Sequence, residues 1–156
     1  MPSWDELSRA GRLIVWLNKQ VGKTYKLGAE AKLADVAFDN PSAFSGMSAW
    51  DCSELVQAGL WAVGCQTANG NPVASFDPAW KQYGLSRHIS VKTAISLPGA
   101  LLFRQNNAKC LHQIGHVAVS LGNGYVIEAA NKKAGVRVGK VDAGFTLAGK
   151  IPELYT

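Results

Sequence analysis

The chain has no apolar run of membrane-spanning length, no internal repeat, no low-complexity stretch and no block of like charge. Each absence removes a class of protein. A spanning helix needs about 20 consecutive apolar residues, so membrane insertion is not expected. The 16 Lys and Arg exceed the 11 Asp and Glu and leave a net charge of +5. They are scattered, without the stripe that tracks a phosphate backbone, and no nucleic-acid partner is expected. Mild basicity does favour approach to a polyanion such as a bacterial wall. Charged residues make up only 17% of the 156 and apolar residues 47%, which excludes a disordered tail and fits one domain with one core. Cysteine is scarce: three residues, an odd number, with no CxxC pair and no disulfide framework. The opening Met1-Pro2-Ser3-Trp4-Asp5-Glu6 is acidic and lacks the apolar core of a secretory leader. The expectation is reduced thiols, synthesis in the cytoplasm, and delivery by another component to any substrate outside it. No long apolar surface stripe stands out, and a monomer is expected.

What is present divides in two by period. Ser3 to Val21 reads as an amphipathic helix with capping-box spacing at Ser3 and Glu6 and an inner face of Leu7, Ala10, Ile14, Leu17 and Val21, flanked by Leu13 and Trp16. Residues 29–36 read as a weak helix or an irregular loop. A turn-rich loop over 39–48 leads into a second helix from Cys52 that ends at Gly64. Asp77-Pro78 reads as a helix start, and Val91 to Ile95 as a further helical turn. After Pro98-Gly99 the pattern becomes β-rich, with strands at 100–103, 115–121, 125–130, 136–141 and 145–151. Helices first and a meander of strands after give an α+β layout, with N-terminal helices packed on an antiparallel sheet of about five strands. Residues 1–156 read as a single catalytic domain with no separate wall-binding domain.

The helix beginning at Cys52 carries the chemistry. A free thiol with a pKa near 8.5 is only about 3% thiolate at pH 7. A helix N-terminus carries roughly half a positive charge and favours the anion, and a neighbouring histidine makes such a cysteine a nucleophile. Asp51 and Ser53 are the residue types that cap such a helix start. The base is sought among His88, His112 and His116. His116 opens a predicted strand, in Gly115-His116-Val117-Ala118-Val119, and Glu128 lies on the returning strand between Ile127 and Ala129. A two-residue Asn123-Gly124 turn pairs Gly122 with Tyr125. That register sets Asn131 opposite His116 and Glu128 opposite Val119, so Glu128 and Asn131 both stand as the group that orients the imidazole. Cys110, His112 and His116 have the spacing of three metal ligands, but no fourth ligand or carboxylate base accompanies them. A metal-dependent amidase on those residues is the competing expectation; otherwise no metal and no cofactor is expected. Cys65 reads as packing and His88 as a surface residue.

Taken together, Tyr25-Lys26-Leu27-Gly28, Asp51-Cys52-Ser53, Gln82-Tyr83, Pro98-Gly99-Ala100-Leu101-Leu102-Phe103, Gly115 to Gly124, Val136-Arg137-Val138 and Ala148-Gly149-Lys150-Ile151-Pro152 resemble the NlpC-type papain-like cysteine peptidases of bacterial cell-wall peptides. The order and spacing match over nearly the whole chain. The resemblance implies a papain-like NlpC fold, with Cys52 as nucleophile, His116 as base and a polar third residue at Glu128, where histidine is commoner. It implies that Tyr25 sits beside Cys52 near the oxyanion site and that Asp51 and Ser53 help bind the free amine of a stem peptide. Glu54 stands where the family has glycine, and Ala100 where it has aspartate. The implied activity is cleavage of the D-glutamate–diamino acid bond of peptidoglycan. Glu128 within Val126 to Ala129, with Asp51 to Val56, is similar to a branch frequent in phage wall enzymes. That points to an endolysin or virion-associated lysin. An interbacterial effector amidase of the same chemistry, or a phage structural or wall-binding protein without turnover, are the alternatives.

Overall fold

The computed structural model describes residues 2–29, 31–32, 39–65, 87–105 and 114–156. Helix α1 spans Arg9–Gln20 and α2 spans Cys52–Ala62, with a short α3 at Val91–Ile95. The strands are β1 (Thr24–Tyr25), β2 (Ala49–Trp50), β3 (His88–Ile89), β4 (Leu101–Gln105), β5 (Ile114–Ser120), β6 (Tyr125–Asn131), β7 (Gly135–Lys140) and β8 (Phe145–Gly149). Strands β1 and β2 form a parallel pair. The other six form one sheet in the order β3-β8-β4-β5-β6-β7, with every neighbouring pair antiparallel. The five expected strands are β4 to β8, and the two-residue β3 adds an edge. The expected helix start at Asp77 and the expected strand-preceding loop with Cys110 and His112 lie outside the described residues, as does most of 29–36.

Strand periodicity sorts the sheet's side chains into two clusters. Leu101, Phe103, Val117, Val119, Ile127 and Val136 join Leu13, Trp16, Leu17, Leu55 and Leu60 from α1 and α2 in the main core. The alternating residues Leu102, Ala118, Val126, Phe145 and Ala148 form a smaller cluster with Ala94 of α3. The two long helices meet where α2 has Gly59. A Cβ there would approach the Leu13 side chain to 2.8 Å and the Trp16 ring to 3.3 Å, so the missing side chain sets how closely the helices approach.

Two expectations change. The N-terminal helix does not run from Ser3. Ser3 and Glu6 close a 3₁₀ turn over Trp4–Glu6, in which the Ser3 N–H donates to the Glu6 carboxylate at 3.1 Å. Ser8 then caps α1 by accepting from the Gly11 N–H at 3.1 Å. The buried face is centred on Ala10, Leu13, Trp16, Leu17 and Gln20, while Ile14 is half-buried and Val21 is 41% exposed. The hairpin register also moves by one. The Leu121 N–H donates to the Tyr125 carbonyl at 2.8 Å, so Gly122-Asn123-Gly124 is a three-residue loop. Gly122 has φ of +84°, and a Cβ there would meet the Pro98 ring at 2.5 Å; only glycine fits. Val119 pairs with Ile127 and Ser120 with Val126. Because side chains alternate, this one-residue change moves Glu128 from the opposite face onto that of His116.

Candidate active site

The site is assembled from the start of α2 outward. Strand β2 is anchored by Trp50, which is fully buried. The Trp50 indole N–H donates to Gln20 Oε1 at 3.1 Å, and its ring meets Trp16 edge-on with centroids 5.8 Å apart. Asp51 follows as the α2 N-cap. Its Oδ1 accepts from the Glu54 N–H at 2.8 Å and from the Ser53 hydroxyl at 3.3 Å, and its Oδ2 accepts from the Gly28 N–H at 3.1 Å. Asp51 is 8% exposed, so it serves as a clamp that ties the 26–29 turn to the helix start. Glu54, where the resembling family has glycine, accepts from the Ala31 N–H at 3.2 Å and extends that clamp. Ala100, the other departure, is fully buried beside α3.

Cys52 is the first residue of α2 and half-buried. The parallel β1–β2 pairing sets Tyr25 beside Trp50 and so brings its ring to the same place. The Tyr25 hydroxyl is held above its ordinary pKa by burial and by the negative charges of Cys52 and Asp51.

His116 and Glu128 arrive from the sheet. His116 Nε2 lies 2.6 Å from Glu128 Oε1, and the ring lines the cleft together with Cys52. With Nε2 on Glu128, Nδ1 is the ring nitrogen left for the thiol. Burial opposes a charge on the ring, but the contacts with Cys52 and Glu128 outweigh it, and the His116 pKa rises to about 9. Burial likewise opposes charge on Glu128, whose side chain is 4% exposed. Its bond to His116 and the nearby charges of His116, Arg137 and Arg104 prevail and lower its pKa. Gly139 on β7 gives the carboxylate room, since a Cβ there would lie 3.0 Å from Glu128 Oε2. Asn131 lines the same cleft, but its Oδ1 accepts from the Ala134 N–H at 2.8 Å and closes the β6–β7 turn.

The cleft holds about 370 Å³ and is lined by Tyr25, Cys52, Arg104, His116, Glu128 and Arg137 among others. It opens where the β5–β6 ladder has ended, two residue pairs from the hairpin. Four residues singled out from the sequence, Tyr25, Cys52, His116 and Glu128, thus meet in one cleft. Asp51 and Ser53 flank Cys52 in the chain and are engaged with each other and with the Glu54 N–H at the helix start. Two guanidinium groups were not anticipated. Arg104 pairs across β4–β5 with His116, and Arg137 pairs across β6–β7 with Glu128. The signal was the strand alternation at Arg137, legible only once the β6–β7 register is known. Of the metal alternative, Cys110 and His112 lie outside the described residues and His116 is engaged by Glu128 and Cys52. Cys65 is fully buried in the main core. His88 is exposed on the edge strand β3.

Comparison with known proteins agrees with the fold. No curated protein sequence matches the chain. Among solved structures, the chain is similar to the peptidoglycan hydrolase RipB of Mycobacterium tuberculosis, at 25% identity and a TM-score of 0.65. That match covers 92% of this chain and 64% of the RipB chain. The P60 domain of the antigen MAP1204 from M. avium subspecies paratuberculosis matches at 27% identity and a TM-score of 0.64, over 92% of this chain and 94% of that domain. NlpC2 of Trichomonas vaginalis shares the fold at 15% identity and a TM-score of 0.64, over 96% of this chain and 50% of its own. The chain therefore spans under two thirds of RipB and half of NlpC2, but nearly all of the isolated P60 domain. The sequence profile of the NlpC/P60 family matches residues 22–148, a span that includes Tyr25, Cys52, His116 and Glu128, and the chain belongs to that family.

Proposed function

We propose that the protein is a peptidoglycan endopeptidase that cuts stem-peptide amide bonds by a Cys52-His116-Glu128 thiol mechanism. The observation that carries this reading is the meeting of the helix-start thiol, His116 and Glu128 in one cleft, with His116 and Glu128 2.6 Å apart. His116 takes the Cys52 proton, and Sγ attacks the amide carbon. The Leu55 N–H is bonded to the Asp51 carbonyl and the Glu54 N–H to the Asp51 side chain. The Cys52 and Ser53 N–H groups, which precede the first helical hydrogen bond, receive the oxyanion together with the Tyr25 hydroxyl. One such donor is worth about 3 kcal/mol in the transition state. The C–N bond breaks as His116 gives its proton to the leaving amine, leaving a thioester on Cys52. Water then attacks the thioester, His116 takes its proton, and the thiol is released. Glu128 keeps the imidazole oriented and stabilises the imidazolium, as the third member of a triad does.

The bond between D-glutamate and the diamino acid is the proposed target, cut at the cell wall. The sequence pattern at Asp51 to Val56 and Val126 to Ala129 favours a phage endolysin or virion-associated lysin as the carrier of this activity; an injected effector amidase would use the same residues. The test is digestion of purified peptidoglycan by the wild type and by Cys52→Ala, with fragments identified by mass. The expected result is release of peptides with a new amino terminus at the diamino acid by the wild type and none by the variant. Equal digestion by both would overturn the mechanism.

A further inference from the structure

The cleft carries more positive charge than the thiol mechanism uses. Glu128 is satisfied on Oε1 by His116 at 2.6 Å. Arg137, opposite Glu128 in the β6–β7 ladder, lies with Nε 3.5 Å from Oε2, beyond a short hydrogen bond. Its terminal nitrogens make no hydrogen bond among the described residues, and its side chain is 49% exposed at the cleft. Arg104 is different. Both its terminal nitrogens bind the Asp142 carboxylate at 2.8 Å, and its guanidinium stacks 4.1 Å over the Phe145 ring. Arg104 is a held cationic wall, whereas Arg137 is a cation with an open fork beside the reacting groups. A planar guanidinium with two unused nitrogens matches a carboxylate in a bidentate pair.

We propose that Arg137, backed by the fixed charge of Arg104, is a carboxylate-binding subsite that selects peptides carrying a free carboxylate beside the scissile amide. This rests on the peptidoglycan reading. A D-glutamate residue has two carboxyl groups. One is consumed in the amide to the diamino acid, so the other stays free unless it is amidated. The subsite therefore separates the carboxylate form of the wall peptide from its carboxamide form. The carboxamide carries no charge and offers one acceptor oxygen instead of two, so a bidentate pair would set its NH2 against a guanidinium that can only donate.

The experiment compares two synthetic stem peptides identical except for carboxylate or carboxamide at that D-glutamate, with the wild type, Arg137→Gln and Arg137→Lys. The wild type is expected to favour the carboxylate peptide by roughly tenfold or more in kcat/KM, chiefly through KM. R137Q is expected to bring the ratio near one by raising KM for the carboxylate peptide alone. R137K, which keeps the charge without the fork, is expected to fall between. A residue that only positions Glu128 would lower kcat for both peptides alike and leave the ratio intact, and that result overturns the proposal. So does a wild type that cleaves both peptides equally. A wild type that cleaves neither peptide defeats the endopeptidase reading itself, a separable outcome.

Discussion

His116 and Glu128 hold opposite ends of one proton balance, and pH resolves them. His116 keeps its proton to about 9, so in the proposed mechanism the acid for the leaving amine persists through neutral pH. The alkaline limb of kcat/KM is expected near that value. Glu128→Gln removes one of the two contacts that raise it. The limb is expected to move toward neutrality and kcat to fall roughly 100-fold or more; an unmoved limb would separate Glu128 from His116 titration. Stability carries the same signature. A raised histidine pKa contributes fully below its ordinary 6.5 and is lost as pH rises through about 9. A lowered carboxylate pKa contributes fully above its ordinary 4.5 and is lost as pH falls through the folded value. The melting temperatures of the wild type and E128Q should therefore differ most between those two ordinary values, by the equivalent of about 1–3 kcal/mol, and the difference should narrow as pH rises through about 9, where the His116 share is lost and that of Arg137 and Arg104 remains.

At the scale of elements, the start of α2 has two claims on Asp51. The structure gives it a capping and clamping role, with contacts to Glu54, Ser53 and Gly28. The family resemblance gives it a role in binding the substrate's amine. Asp51→Ala is expected to cost about 1–2 kcal/mol through the lost cap. Asp51→Asn keeps one acceptor for the Glu54 N–H but sets an amide NH2 against the Gly28 N–H, so it is expected to cost about 1 kcal/mol and stay folded. If KM for a free-amine stem peptide rises in the folded Asp51→Asn protein, Asp51 also meets the amine; if KM is unchanged, its role is the clamp alone. Elements also mark where the sequence could be read. The α2 start was legible because cap, thiol and apolar spacing agree at Asp51, Cys52, Leu55 and Val56. The strands β4 to β8 were legible from alternation and the Pro98-Gly99 and Gly122 to Gly124 turns. The hairpin register was not, because a two-residue and a three-residue loop share the Asn123-Gly124 pair, and only the Gly122 φ and its approach to Pro98 decide between them. The α1 start was missed because two serines compete as caps, and Ser8 takes the α-helix while Ser3 keeps a 3₁₀ turn. Strand β3 is two residues long and offers no period. Arg137 looked like any charge on an exposed strand until β7 was laid against β6.

Across the whole molecule, three thiols compete for the role of nucleophile. Cys65 is fully exposed to neither solvent nor substrate: it is buried, and burial lifts its pKa to about 12 despite the opposing charge of Arg9. Cys52 stands in the cleft with His116 against it. Of the two thiols among the described residues, Cys52 is the one the proposed mechanism uses, at the junction between the helical layer and the sheet. The most direct measurement is titration of the protein with limiting iodoacetamide at about pH 6, well below an ordinary thiol pKa, with modified cysteines mapped by mass and peptidoglycan hydrolysis followed in parallel. Hydrolysis is expected to fall in step with Cys52 alkylation while Cys65 stays unmodified. Hydrolysis that persists after Cys52 is fully alkylated, or that falls with Cys110 instead, would contradict the account.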